Sequence, residues 1–152
     1  MNEIPIYGLY GEQDSSTDWL HWESIQSRSQ PHGYRIAPHR HEQFFQVLVL
    51  TRGSGEVTLD GIDHALAPSM VVVVPAQTVH GFAFSEDVDG LVLTLMQQDI
   101  RTIDLQVPPA MVVTQQTRRL CAAARNLVDE ARIAGPAHDA AMRALLTLLV
   151  IE

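Results

Sequence analysis

Apolar residues are arranged in two ways along this chain, and the change falls near Pro108-Pro109. Upstream, short runs of Val, Leu and Phe are cut by Gly, Pro, Asp and Ser, the spacing of strands joined by turns. Residues 19–26 read as a first strand, with Leu20, Trp22 and Ser24 on one side. Residues 44–51 form a dense run, Arg52-Gly53-Ser54-Gly55 turns the chain, and residues 56–59 resume the pattern. Asp60-Gly61 tolerates the positive φ of a tight hairpin. Residues 70–74 are continuous and β-branched, suited to a strand covered on both faces. That run stops at Pro75, which has no N–H for a ladder. With residues 79–84 and 90–95 the count reaches seven or eight short strands. Such a series predicts a barrel or sandwich rather than a βα alternation.

Downstream the period becomes three and four. Leu120, Ala124, Leu127 and Ala131 form one stripe behind Thr114, which can cap the helix start, while Arg118, Arg125 and Arg132 fall on a solvated face. Gly135 ends this helix and Pro136 opens the next. The second helix becomes almost wholly apolar through Leu145, Leu146, Leu148, Leu149, Val150 and Ile151. A helix apolar on every side needs cover on every side. With the sequence stopping at Glu152, the expectation is a partner subunit, with Leu145, Leu148 and Leu149 in the contact, or a longer parent chain. The organisation expected is an arm over residues 1–18, a β-rich body over 19–107 and a helical dimerisation region over 108–152.

The 152 residues suit one domain. Cys121 is the single cysteine, so an intramolecular disulfide is excluded and a reducing, cytoplasmic location is expected. The first ten residues lack the basic-then-apolar order of a signal peptide. The longest apolar stretch, residues 70–76, is far short of the ~20 residues of a membrane span, so no membrane partner is expected. Ten basic residues, all arginine, against eighteen acidic ones leave a net charge of −8. A surface of that sign repels phosphate backbones, so direct nucleic-acid contact by this segment is not expected.

Candidate chemistry gathers on histidine. His39 and His41 lie two apart in an extended segment and so project to one side. Gln46 follows five positions on, and His80 lies beyond the Val71–Val74 run. If residues 44–50 and 71–74 are neighbouring strands, these four groups converge at one end of the interior. Three imidazoles with open positions suit Zn²⁺, Fe²⁺ or Ni²⁺. His21, His32, His64 and His138 read as surface or turn histidines. Trp22, Phe44, Leu48 and Phe84 are candidate apolar walls of a ligand pocket. Arg28 and Arg35 lie near its predicted mouth and would bind a carboxylate, although a solvated position is the plainer reading of each.

The spacing Gly33, five residues, His39, one, His41, four, Gln46, six, Gly53 resembles the first motif of the cupin family, with Gln46 where that family has Glu. The run from Ser69 through Pro75 and Gln77 to His80 resembles the second motif, with Ser69 and Gln77 in place of glycines and Phe84 in place of Asn. A wider resemblance joins residues 4–12, His39-Arg40-His41, Phe44-Phe45-Gln46, Arg52-Gly53-Ser54-Gly55, Leu59-Asp60-Gly61, residues 73–82 and the two closing helices. Together they resemble the amino-terminal sensor domain of AraC-family transcriptional regulators, and among these the 4-hydroxybenzoate-responsive activators. The resemblance implies a cupin-like double-stranded β-helix barrel followed by two carboxy-terminal α-helices. It further implies a small aromatic acid as effector, a homodimer, and a DNA-binding domain beyond Glu152 in a longer protein. With neutral Gln46 in the anionic position the expectation is a sensor and not an enzyme. The rival is a small metal-dependent cupin enzyme, an isomerase or oxygenase, using His39, His41 and His80.

Overall fold

A computed structural model describes residues 15–16, 19–133 and 138–151. Most of the expected arm, and the Gly135-Pro136 break between the helices, lie outside these residues. In chain order the elements are β1 (Ser15–Ser16), β2 (His21–Ser24), α1 (Ile25–Ser29), β3 (Arg35–His39), β4 (Phe44–Arg52), β5 (Gly55–Leu59) and β6 (Ile62–Leu66). There follow β7 (Val71–Val74), β8 (His80–Phe84), β9 (Asp89–Met96), α2 (Gln97–Thr102), β10 (Met111–Val113), α3 (Arg118–Arg132) and α4 (His138–Ile151).

The strands form a six-stranded sheet, β1-β2-β9-β4-β7-β10, and a four-stranded sheet, β3-β8-β5-β6. The expected barrel is corrected here: the chain is mostly β with two closing helices, but the sheets are not closed on each other. The reason lies at the corners. Between β4 and β9 the chain crosses from sheet to sheet, and backbone groups at the crossings close turns instead of extending a ladder. Met70 N donates to Ala67 O at 3.2 Å, Thr78 N to Pro75 O at 3.3 Å and Val88 N to Ser85 O at 3.1 Å. Gly53 makes the first crossing with φ 84°, and a Cβ there would lie 2.7 Å from both Ser85 Oγ and Val88 Cα. The exposed edge strand β3 carries Pro38, which blunts pairing with another chain.

Local chemistry explains most boundaries. Asp60 (φ 47°) and Gly61 (φ 86°) make the tight β5–β6 hairpin, as their residue types predict. Ser69 (φ 76°) and Gln77 (φ 71°), the two motif positions lacking glycine, keep the backbone that glycine would favour. The first strand is shorter than expected: Ser24 ends it and caps α1, its Oγ accepting from Ser27 N at 2.9 Å. Helix α3 starts at Arg118 rather than behind Thr114, which is exposed.

Strand alternation divides the six-stranded sheet into two cores. Trp22, Phe45, Val47, Val49, Val71, Val73, Leu93 and Leu95 face the helices and pack with Leu120, Leu127, Met142, Leu145 and Leu149. Leu48, Leu50, Val72, Val74 and Val92 face the other way and meet Val57, Leu59 and Phe82 of the smaller sheet, with Ile25 of α1. Leu145 and Leu149 are thus covered within this chain, and Leu148 packs partly buried beside them. Among the described residues no helix is long and apolar enough to cross a membrane.

Candidate metal centre

The antiparallel register of β3 and β8 sets His39 directly opposite His80. His41 follows two residues on, and the turn before β8 is tied to it, because Gln77 N donates to His41 O at 2.8 Å. The three rings therefore meet. Centroids are 4.3 Å apart for His39 and His80, 4.9 Å for His39 and His41, and 5.4 Å for His41 and His80. One nitrogen from each ring lies within 4.8 Å of the others, and all three residues are buried.

Hydrogen bonding decides which nitrogens face the cluster. His39 Nδ1 lies 2.8 Å from Ala37 O and His80 Nδ1 lies 2.9 Å from Thr78 O. A carbonyl can only accept, so each Nδ1 carries the proton and each Nε2 presents a lone pair. His39 Nε2 stands 3.3 Å from His41 Nε2. A metal-ligating histidine is ordinarily fixed in this way by a carbonyl behind it. Burial lowers the pKa of His39, with the nearby Arg28 charge adding to the effect against the Ala37 bond. His80 is pushed down to about 3, first by burial and then by His39. Both rings are neutral at physiological pH, the ligating form. Three converging imidazoles, two of them neutral and of fixed tautomer, fit a divalent Zn, Ni or Fe ion.

Gln46 lies in the same interior, on the inner face of β4 with Phe44, Leu48 and Leu50, and its Nε2 donates to Thr94 Oγ1 at 2.9 Å. A small, partly open space of about 20 Å³ adjoins His39 and His80, lined by Gln46, Leu48, Phe82, Phe84, Ile25 and Arg28 among others. Phe84 stacks on Phe82, with centroids 5.1 Å apart and planes at 14°. The ring of Phe44 packs 5.7 Å from that of His41, at the edge of the site.

Two expected site residues lie elsewhere. Trp22 points into the helix-facing core, under Arg132 at 5.9 Å, because β2 runs in the opposite phase from a pocket wall. Arg35 is exposed on the outer face of the smaller sheet beside Glu56 and Thr58. The expected surface position of His21 is also corrected. It is buried, with Nε2 2.9 Å from Glu23 Oε2, and Glu23 Oε1 lies 3.3 Å from Arg28 Nε. Glu23, His21 and Thr94 join the interior through β2–β9 pairing, His21 opposite Thr94 and Glu23 opposite Val92. The His-x-Glu alternation around Trp22 was the sequence signal for this network.

The expectation that the chain is not an enzyme is corrected as well. It rested on Gln46 replacing an anionic ligand, but three buried histidines by themselves bring together a set able to hold a metal ion. The ground for excluding catalysis is gone.

Fold and site together define a domain of two sheets with a cluster of three buried histidines. The family model for the AraC-like ligand binding domain matches residues 21–150, and the chain belongs to that family. No curated protein matches it. Among solved structures the chain is similar to KdgF from Halomonas sp., at 24% identity and a TM-score of 0.44 over 57% of this chain and 79% of that one. It is also similar to TT1209 from Thermus thermophilus, at 21% identity and TM-score 0.43 over 54% and 77%. A predicted oxalate decarboxylase from Thermotoga maritima is similar at 15% identity and TM-score 0.39, over 51% and 80%.

Proposed function

We propose that this chain is a metal-dependent cupin module in which His39, His41 and His80 hold one divalent ion, and that it works as a small enzyme on a ligand admitted between the sheets. The observation that carries this reading is the convergence of three buried imidazoles, two of them locked by carbonyls with Nε2 as the available donor. When bound, such an ion supplies Lewis acidity toward a ligand oxygen. The chain's own residues orient the ligand, exclude water through Ile25, Leu48, Phe82 and Phe84, and keep His39 and His80 neutral. Gln46, held by Thr94, offers an amide to the ligand and no negative charge.

A second reading is favoured by the family match: the same site serves as the effector pocket of a regulator's sensor domain. A homodimer, a small aromatic acid of the 4-hydroxybenzoate kind and a DNA-binding domain in a longer protein belong to this reading. The free space of about 20 Å³ is smaller than an aromatic ring, so this reading requires its walls to move. Reconstitution with Fe²⁺, Mn²⁺ or Zn²⁺ followed by turnover assays separates the two. Metal with turnover supports the enzyme, and metal with saturable effector binding but no turnover supports the sensor.

A further inference from the structure

We propose that the space beside the three histidines receives a short-chain carboxylate, and that Arg28 is the residue that binds its anionic head. This deepens the metal-module reading by naming its ligand class, and depends on that reading only for the ligand's second anchor.

Arginine carries five N–H donors in a planar fork shaped for a carboxylate. In Arg28 the Nε and Nη2 atoms are buried and donate no hydrogen bond. Buried charged donors left unmade are costly, and one in a cavity wall calls for an acceptor that the chain does not supply. Glu23 fills that role only in part: its Oε1 forms an ion pair with Arg28 Nε at 3.3 Å, outside hydrogen-bond geometry, its Oε2 is taken up by His21 Nε2 at 2.9 Å, and neither oxygen serves Nη2. Glu23 and His21 therefore position the guanidinium and leave Nη2 to a ligand.

The surroundings select the ligand. Arg28 lines the same cavity as His39, His80 and Gln46, and its charge is felt at both histidines. The remaining walls, Ile25, Leu48, Phe82 and Phe84, are apolar, so behind the anionic head the site accepts carbon rather than further charge. The free space of about 20 Å³ is small, which favours a short-chain acid over an aromatic one. Three imidazole ligands bring no negative charge to a divalent ion, and a carboxylate beside it supplies that charge.

Acetate serves as the probe, with acetamide as its uncharged isostere. Binding is measured by calorimetric titration and thermal shift on chelator-treated protein and on protein loaded with Co²⁺. Saturable acetate binding is expected in wild type, at least tenfold tighter than acetamide. Arg28→Gln is expected to weaken acetate at least tenfold, and Arg28→Lys by less, while both keep the wild-type Co²⁺ stoichiometry. Acetamide binding as tightly as acetate, or a folded Arg28→Gln binding acetate like wild type, overturns the proposal. If Arg28→Gln is unfolded by circular dichroism, the acetate–acetamide contrast in wild type decides the matter. Failure of Co²⁺ to bind with the acetate response intact overturns the metal reading alone; Co²⁺ bound with no acetate response overturns this proposal alone.

Discussion

The two faces of the six-stranded sheet use one backbone for opposite purposes. Toward the helices, Phe45, Val47, Val49, Val71, Val73, Leu93 and Leu95 pack into a wholly apolar cluster. Toward the smaller sheet, the alternate positions begin apolar, at Leu48, Leu50 and Val72, and turn polar toward one end, at Gln46, Thr94 and His21, with Glu23 one pair in beside Val92. The first face is a core whose removal costs stability. The second gives up apolar burial for groups that must each find a partner, which is the ordinary mark of a binding site. Stability and function are thus separated by a shift of one residue along a strand.

That separation can be broken first from the helix side. Leu145→Ala removes a fully buried side chain and is expected to cost ~2–5 kcal/mol by urea unfolding. The folded fraction is expected to keep its metal stoichiometry. Equal loss of both would mean the two faces are not independent.

A pH series probes the other face. His80 has its pKa held at about 3 in the folded chain, below the ordinary 6.5, so the unfolded chain takes up the proton first. Chelator-treated protein should therefore hold its full stability above about pH 6.5 and lose it as the pH falls toward 3. The slope from one such group is at most ~1.4 kcal/mol per pH unit. His80→Gln should flatten part of it; a slope unchanged by that substitution would mean His80 titrates normally.

The neutral amide sharpens the comparison further. Gln46→Glu places a carboxylate where Gln46 Nε2 now donates to Thr94. Tighter metal binding is expected, together with a modest loss of metal-free stability of ~1 kcal/mol from the altered buried hydrogen bond. Competition titration against a chelator reads the first and denaturant midpoints the second. Smallest of all, Ser69→Gly should raise stability by less than ~1 kcal/mol, because Ser69 sits at φ 76° in an exposed corner.

How much of this was legible beforehand follows from the range of each signal. Strands and hairpin announced themselves through local chemistry, Asp60-Gly61 and Pro75 above all. The three histidines were found because motif spacing carries their pairing, and the β4–β7 neighbourhood that the convergence required is present, Gln46 opposite Val74. Strand phase was not legible at β2: a single tryptophan between His21 and Glu23 reads equally well as a wall of either core. Sheet closure was not legible either, since it depends on turn hydrogen bonds at the corners rather than on any strand's own composition. The sequence puts Arg28 near the mouth, but the burial of its Nη2 depends on α1, one turn of helix too short to leave a periodic signature.

The most direct test is metal content. Protein purified without a nickel column, stripped, then reloaded with Co²⁺ and desalted should retain close to one equivalent in wild type. His41→Ala and His80→Ala, folded by circular dichroism, should retain almost none. Wild type that retains no metal, or both variants retaining as much as wild type, would contradict a three-histidine centre.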